Sequence, residues 1–144
     1  MAPYQVSVEI RWSDLDPNFH LRHSVYYDWG AYCRMRYFDE HNLTGDLMQR
    51  QNIGPIIFRE ECVFRKEIKF GDVVTIDLLI ISARKDFSRW SLRHRIMKDE
   101  NVLAASLSLD MAWLNLAERK LAIPGEEIYT IIDGIPKDAE FKWL

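Results

Sequence analysis

The sequence predicts an α+β fold, in which an antiparallel β-sheet is combined with one long α-helix. The stretch from Ser24 to about His41 contains no proline and no strict alternation of apolar and polar residues, which is typical of a helix. Four later stretches alternate apolar and polar residues with the period of two that half-buried strands show. Short turn-forming sequences separate these strands, and short connections join antiparallel neighbours.

Length and composition indicate one globular domain over residues 1–144. A chain of 144 residues lies within the usual range of roughly 100–200 residues per domain, and no repeat or linker divides it. Hydrophobic residues make up 48% and charged residues 28% of the chain, a balance that excludes intrinsic disorder. The net charge of −3 argues against nucleic-acid binding.

The sequence contains no indication of secretion or of a membrane span. No apolar run approaches the roughly 18 residues of a transmembrane helix, and the first residues lack a basic segment followed by an apolar one. Cys33 and Cys62 have no C-x-x-C partner, which favours two free thiols over one disulfide. These features predict a soluble cytoplasmic protein.

The first predicted element is a strand from Tyr4 to Trp12, in which apolar residues alternate with polar ones. The Asp, Pro and Asn residues of segment 13–18 end this strand, because their side chains favour turns. The helix follows, and Ser24 is its expected N-cap residue.

The predicted helix is apolar on more than one face. Its opposite side is not cleanly polar, because Tyr27, Met35 and Phe38 lie there, and such a helix is buried on several sides. Gly30 in a helix interior costs about 1 kcal/mol relative to alanine, which predicts that another element packs closely on it. At 100° per residue, one side of the helix carries Val25, Tyr26, Trp29, Gly30, Cys33 and Tyr37.

Four strands follow Pro55, and the short turns between them predict an antiparallel meander. Their apolar faces begin at Ile56, Val74, Trp90 and Leu103. A single helix cannot cover both faces of a five-stranded sheet. We therefore expect that the sheet wraps around the helix, that its other face meets a second subunit, or both.

Polar and ionisable residues are concentrated between the first strand and the helix, at positions 11–20. A carboxylate there lies near the positive end of the helix dipole, where it can act as a base or a nucleophile. The N–H groups of the first helical turn, at Ser24, Val25 and Tyr26, can hold a developing oxyanion. The residue types alone fit an ordinary turn and helix cap better than an acyl-transfer site.

Residues 11–26 resemble the N-terminal signature of hotdog-fold thioesterases, which reads approximately D-x-D-x-x-x-H-V-N-N-x-x-Y and leads into a long central helix. They are similar to the 4-hydroxybenzoyl-CoA thioesterase-like family, and Asp16, Asn18 and His20 also resemble the D-x-N-x-H motif of acyl-ACP thioesterases. Residues 64–72 resemble the family's F-x-R-P-V-x-F-G-D. The resemblance covers nearly the whole chain and implies a hotdog fold, an antiparallel sheet wrapped around one long central α-helix.

The resemblance also implies an activity, the hydrolysis of acyl-CoA or acyl-carrier-protein thioesters in fatty acid metabolism. Asp16 matches the catalytic carboxylate, which is the nucleophile or the base that activates water. Asn18 and His20 match residues that orient substrate or water, although a purely turn-stabilising role for His20 is equally open. Tyr26 matches a tyrosine that packs rather than reacts. No cofactor is implied beyond the coenzyme A of the substrate.

Three departures from the family pattern bear on function. Arg22 and His23 replace two asparagines, and they either contact the substrate and alter its selection or mark a member without activity. The family's proline is missing from residues 64–67, which we expect to matter little. The glycine-rich continuation of the fold's dehydratases is absent, so dehydration is not expected.

Metal binding and phosphate binding have weaker signals. His20 and His23 form an H-x-x-H pair, but without convergent cysteine or carboxylate ligands no metal site is expected. A pantetheine arm carries phosphate, so cations are expected near the mouth of the substrate site. Arg84, Lys85 and Arg89, beside the turn between the third and fourth strands, are candidates for that contact or ordinary solvated turn residues.

Two functions fit the sequence. The first is a thioester hydrolase that depends on Asp16, and the second is a non-catalytic hotdog module that binds acyl groups or acts through assembly. The replacements at Arg22 and His23 make the second function credible. In either case we expect a homodimer or a dimer of dimers, with the active sites at the subunit interface.

Overall fold

A curled antiparallel sheet packs against a long helix in the computed structural model, which describes residues 2–144. The helix α1 precedes most of the sheet in the chain and contacts strands β1, β3 and β5. A short 3₁₀ turn, Trp12–Asp14, lies between β1 and α1. The elements are β1 (Tyr4–Val8), α1 (His23–Glu40), α2 (Gly45–Gln51), β2 (Ile53–Phe64), β3 (Val74–Ala83), β4 (Arg89–Lys98), β5 (Val102–Asn115), β6 (Lys120–Leu121), α3 (Glu126–Asp133) and β7 (Lys137–Trp143).

The strand order is β1-β3-β4-β5-β2, with β6 paired to β5 and β7 paired in parallel to β3. The predicted meander is confirmed for β3, β4 and β5, which follow one another through short turns. It is wrong for β2, which pairs antiparallel with β5 at the far edge of the sheet. The segment of residues 65–73 between β2 and β3 is longer than a tight hairpin loop, so the two strands need not be neighbours.

Helix α1 is buried as its sequence predicts. All six residues of the predicted apolar side are buried, and on the other side Phe38 is buried while Met35 is exposed. A Cβ atom at Gly30 would lie 2.4 Å from Leu107 Cδ2 on β5, a distance that real Cβ contacts do not reach. The predicted close packing at Gly30 is therefore confirmed, and this glycine allows α1 to lie directly on the sheet.

Several predicted boundaries and counts are wrong. The first strand ends at Val8 rather than at Trp12. Helix α1 begins at His23 with Arg22 as its N-cap residue, so Ser24 lies inside the first turn and is not the cap. The structure also has three α-helices rather than one, because α2 and α3, of seven and eight residues, have no predicted counterpart.

The outer face of the sheet is polar. Cross-strand pairs of β4 and β5 on this face join arginines to serines, Arg93 to Ser108 and Arg95 to Ser106. Arg95 also donates from its Nε to Asp77 Oδ2 at 2.6 Å. The apolar core therefore lies on the face toward α1, and the outer face of β4 and β5 is polar.

A polar network interrupts the core between α1 and β4. His94 is fully buried; its Nδ1 lies 2.7 Å from the carbonyl oxygen of Asp77, and its Nε2 lies 2.9 Å from Arg34 Nη1. Since Arg34 can only donate, Nε2 accepts and Nδ1 carries the proton. Burial, together with the nearby Arg34 charge, lowers the pKa of His94 to about 3.

The cysteine prediction is confirmed, since Cys33 and Cys62 are both free. Among residues 2–144, no helix has the length and hydrophobicity that a bilayer span requires.

Candidate active site

The segment between β1 and α1 forms a turn that is held by Asp16. Its Oδ1 accepts hydrogen bonds from the N–H groups of Asn18 at 2.8 Å and of His20 at 3.1 Å. A carboxylate that accepts from the N–H two residues later forms an Asx turn, for which aspartate is favoured. The other oxygen, Oδ2, has no hydrogen-bond partner among the described residues. Asp16 is therefore fixed through one oxygen and free to react through the other.

A second carboxylate, Asp14, anchors this segment to the rest of the fold. Asp14 is buried, and it accepts from Arg11 N–H and from Arg11 Nη2, both at 2.9 Å. These hydrogen bonds to Arg11 hold the pKa of Asp14 below its usual value. The carbonyl oxygen of Asp14 also accepts from the N–H of Arg22 at 2.7 Å. Asp14 thus has a structural role, since both of its side-chain oxygens are bound to Arg11.

The two sequence motifs meet in space. Leu21 N–H donates to the carbonyl oxygen of Ile68 at 2.7 Å, and His20 forms an isolated β-bridge with Lys69. These contacts close a cleft of about 440 Å³ in front of the N-terminus of α1. The cleft is lined by Asp16, Asn18, His20, Leu21, His23, Tyr26, Phe64, Arg65, Lys66 and Glu67.

The three predicted catalytic residues all line this cleft, and Glu67 joins them. Glu67 Oε2 lies 3.2 Å from His20 Nε2. Glu67 is absent from the site predicted from sequence, although it stands within the residues 64–67 where the family's proline is missing. The replacement of the family's proline was the signal for Glu67 in the sequence, because it puts a carboxylate where the family has an unreactive side chain.

The donors at the start of α1 differ from those predicted. Val25 N–H already donates to the carbonyl oxygen of Arg22 at 3.0 Å. The N–H groups of His23 and Ser24 have no acceptor among the described residues. Because the N-cap of α1 is Arg22, two residues earlier than the predicted Ser24, the N–H groups of His23 and Ser24 are free donors.

Tyr26 has the packing role that its motif position implies. Its ring is buried and meets the edge of Phe64 with the ring centres 4.9 Å apart. Burial raises the pKa of Tyr26 to about 12, so its hydroxyl stays protonated at neutral pH.

Arg22 lies beside the cleft without lining it. Its Nη1 donates to the carbonyl oxygen of Ser13 at 2.6 Å, and its Nε donates to Ser24 Oγ at 2.9 Å. Both contacts tie the start of α1 to the preceding turn, so the guanidinium does not block the space in front of Asp16.

The predicted cations Arg84, Lys85 and Arg89 do not line the cleft either. Arg89 pairs with Ala112 of β5, whereas Phe64 at the cleft pairs with Ala105 of the same strand. A strand rises by about 3.3 Å per residue, so these levels are roughly 23 Å apart. Within one chain, the cations that reach the cleft are Arg65 and Lys66. Among residues 2–144, no group of three or more His, Cys, Asp or Glu residues could hold a metal ion.

Comparison with known proteins gives one family match, since a model of the thioesterase-like superfamily matches residues 10–132. Similar solved structures include a hypothetical protein from Staphylococcus aureus in complex with CoA, with 20% identity, a TM-score of 0.82 and coverage of 92% of this chain and 82% of that one. A 1,4-dihydroxy-2-naphthoyl-CoA thioesterase from Synechocystis shows 15% identity, a TM-score of 0.81 and coverage of 92% and 97%. A thioesterase from Thermus thermophilus complexed with coenzyme A and Zn shows 24% identity, a TM-score of 0.73 and coverage of 90% and 91%. No curated protein gives a significant match.

Proposed function

Because the chain belongs to the thioesterase-like superfamily and is a thioesterase, we propose that it hydrolyses acyl-CoA thioesters and that Asp16 carries the reaction as nucleophile or general base. The observation that carries this proposal is the convergence of both motifs on one cleft, where Asp16 presents a free oxygen. Two of the similar structures hold coenzyme A, which supports a CoA substrate.

The start of α1 supplies the second requirement of acyl transfer, which is stabilisation of the oxyanion. The N–H groups of His23 and Ser24 are free, and His23 lines the cleft. Backbone donors at a helix N-terminus favour negative charge through both hydrogen bonding and the helix dipole. A thioester carbonyl placed between these donors and Asp16 Oδ2 is polarised on one side and open to attack on the other.

The cleft also offers contacts for a phosphorylated leaving group. Arg65 and Lys66 line it, and neither forms an ion pair with a carboxylate of the described chain. Arginine and lysine are the side chains that most often bind phosphate. These two residues, rather than Arg84, Lys85 and Arg89, are therefore the proposed contacts of the phosphopantetheine arm.

The non-catalytic alternative receives no support from the geometry. It depends on Arg22 and His23 at the positions of the family's asparagines, but the Arg22 side chain is bound to Ser13 and Ser24 outside the cleft. His23 contributes a free backbone donor whatever its side chain.

A panel of acyl-CoA and acyl-carrier-protein thioesters tests the proposed function. We expect thiol release, measured with a colorimetric thiol reagent, from at least one aromatic or aliphatic acyl-CoA. The same acyl groups attached to the carrier protein show whether the protein prefers coenzyme A or the carrier protein as the leaving group. Absence of thiol release with every thioester, from a protein that melts cooperatively, would contradict the proposed function.

The edge strand β2 supports assembly into a dimer. One side of β2 pairs with β5, and no strand of the described chain pairs with its other side. This edge is 12 residues long and carries exposed apolar side chains, among them Phe58, Val63 and Phe64. Long apolar edges tend to pair with another chain. Since Phe64 also lines the cleft, a second copy paired here would place the active sites at the interface.

We expect the protein to be at least a dimer, and Val63→Lys to weaken the assembly, because charge on an edge strand opposes pairing. Light scattering at micromolar concentration measures the molecular mass of the parent protein and of the variant. Val102→Lys is the matched control, since Val102 is also exposed but is the first residue of β5, which is not an edge strand. A monodisperse parent monomer would refute the dimer.

A further inference from the structure

Four large apolar side chains are exposed on the two segments that meet beside the cleft. Trp12 and Phe19 belong to the segment between β1 and α1, and Phe70 and Val73 belong to the segment between β2 and β3. Their exposed fractions are 76%, 63%, 63% and 68%, respectively. We call these four residues the apolar patch. Large apolar side chains that gather on a surface are typical of an interaction site.

The residues of the apolar patch lie next to one another. The ring centres of Trp12 and Phe19 are 6.3 Å apart. The isolated β-bridge at the cleft joins the two segments, and Phe19 and Phe70 are the residues next to the bridged pair. Such residues lie opposite each other in antiparallel pairing. Phe70 and Val73 in turn line one cleft of about 390 Å³. The patch is therefore one continuous surface that adjoins the candidate active site.

Folding does not account for the side chain at position 19. The φ of Phe19 is 62°, in the left-handed region that is unfavourable for bulky residues and that glycine or asparagine normally occupies. Its ring and that of its neighbour Trp12 are both exposed, so little apolar area is buried in return. Strained backbone that burial does not offset indicates a function for the segment.

Cations border the apolar patch. Residues 65–69 hold Arg65, Lys66 and Lys69 against one carboxylate, Glu67, which gives this segment a net charge of +2 in a chain whose net charge is −3. None of the three cations forms a salt bridge within residues 2–144. The positive charge beside the patch is therefore available to an anionic partner.

The carboxylates nearest the patch in the chain are already paired. Asp14 is buried and accepts from Arg11, and Asp72 lies 3.6 Å from Lys98 Nζ. They therefore do not cancel the charge of residues 65–69.

Exposed aromatic side chains bordered by cations suit the surface of an anionic lipid bilayer. Tryptophan and phenylalanine insert at the level of the headgroups, and each lysine or arginine gains from the negative surface potential. A protein partner needs a surface of complementary shape, whereas a bilayer accepts side chains that project from loops. The strain at Phe19 is also explained, because it holds an aromatic ring in solvent.

We propose that the apolar patch docks the protein on a lipid bilayer that contains anionic headgroups. Because the patch and the cleft share the bridged segments, docking brings the opening of the cleft close to the bilayer surface. Long acyl chains partition into bilayers, so an acyl-CoA with such a chain would be met there. Docking requires no catalysis and can be measured in a protein that hydrolyses nothing.

Sedimentation with vesicles tests the docking. One set of vesicles contains phosphatidylcholine and phosphatidylglycerol in equal parts, and the other contains phosphatidylcholine alone. We expect the parent protein to bind the mixed vesicles at least roughly tenfold more strongly, because each cation near an anionic surface adds to the affinity. Added salt should reduce this difference through screening. A parent protein that sediments with neither set would overturn the proposal.

The double variant Phe70→Ser with Val73→Ser tests the patch itself. We expect its affinity for the mixed vesicles to fall at least roughly tenfold, because two apolar side chains no longer leave water. The matched control is Leu121→Ser with Ile123→Ser, which removes two exposed apolar side chains near β6. The control should bind like the parent. Equal binding by the double variant and the parent would overturn the proposal.

Hydrolysis and melting show that the double variant is intact. Phe70 and Val73 do not line the active cleft, so we expect parental turnover of a short-chain acyl-CoA in the absence of vesicles and a cooperative melt. Loss of vesicle binding with both retained assigns the effect to docking. If the parent binds vesicles but hydrolyses no thioester, the docking stands and the proposed function does not.

Fluorescence identifies the face that meets the bilayer. Bromine-labelled lipids quench tryptophans that reach the bilayer, and Trp12 is the most exposed of the large apolar side chains, whereas Trp143 is less exposed and belongs to β7. We expect Trp12→Phe to remove most of the quenching and Trp143→Phe to preserve it. The reverse result would overturn the proposal, because another face would then be docked.

A protein on the apolar patch would give different results. If light scattering showed a smaller mass for the Phe70→Ser, Val73→Ser variant than for the parent, the patch would be a contact between copies of this chain. If the variant lost only the hydrolysis of carrier-protein thioesters while vesicle binding was unchanged, the patch would bind the carrier protein. Either result would overturn the docking on lipid and leave the proposed function standing.

Discussion

Asp16→Asn should lower thioester hydrolysis by at least about 10²-fold, the lower end of what a positioned acid–base group contributes. Asparagine has nearly the same volume, and its Oδ1 can still accept from the N–H groups of Asn18 and His20 that Asp16 now binds. What it loses is the charge and nucleophilicity of the free oxygen. The change in stability should be small, about 1 kcal/mol, because a carboxylate near a helix start contributes that little.

Two assays on the same variant distinguish a catalyst from a turn former. The rate is measured on the best acyl-CoA, and the melting temperature by thermal unfolding. Asp28→Asn is the control, since Asp28 is an exposed carboxylate of α1 that does not line the cleft. Near-parental turnover of Asp16→Asn with a lowered melting temperature would assign Asp16 to the turn and leave the chemistry without its central residue.

Acid should destabilise the protein as soon as the pH falls below about 6.5. The pKa of His94 falls from the usual 6.5 to about 3 in the folded chain. Above pH 6.5 His94 is neutral in both the folded and the unfolded state, so its titration does not affect stability. Below pH 6.5 the unfolded state binds a proton at His94 and the folded state does not. Stability is therefore lost as the pH falls from 6.5 toward 3, by about 2 kcal/mol at pH 5 and up to roughly 3–5 kcal/mol in full.

Urea unfolding between pH 7 and 5 measures this loss directly. The comparison is His94→Gln, whose amide can accept from Arg34 and donate to the carbonyl of Asp77 without titrating. We expect the variant to lose the pH dependence that His94 causes in this window. The window stops at pH 5 because burial raises the pKa of Asp77, which acts in the opposite direction at lower pH. If the free energy of unfolding fell equally with pH in the parent and the variant, His94 would not be the buried neutral group that causes the loss.

The parts of the fold predicted from sequence are those that local patterns determine. The alternation in β4 and β5 matches their buried faces, and the apolar side of α1 is buried as expected. The partner of β2 was not predictable, because its pairing with β5 depends on how the two intervening strands are placed. Helices α2 and α3 are too short for periodicity to identify, although Thr44, whose side chain accepts from Leu47 N–H, is a typical N-cap.

The candidate site also has one part that follows from a local sequence motif and another part that depends on tertiary contacts. Asp16, Asn18 and His20 lie in one short motif, so their proximity follows from the sequence itself. Glu67 reaches them only because residues 65–70 fold back against residues 20–21, and the missing proline marks this position without indicating that tertiary contact. The cations beside the turn between β3 and β4 were misplaced for the related reason that the position of a turn along the sheet depends on strand register.

The position of β2 has a consequence for how the chain folds. Strands β3, β4 and β5 can form consecutive hairpins from contacts that are close in sequence, but β2 must wait for β5, which the chain reaches only after both hairpins. Pairings between distant segments carry a large loop-closure entropy and slow folding. The hairpins of β3–β5 therefore form first, and β2, whose end at Phe64 completes the wall of the active cleft, joins the sheet only after them. Catalytic competence in this protein should be acquired late, after most of the secondary structure has already formed.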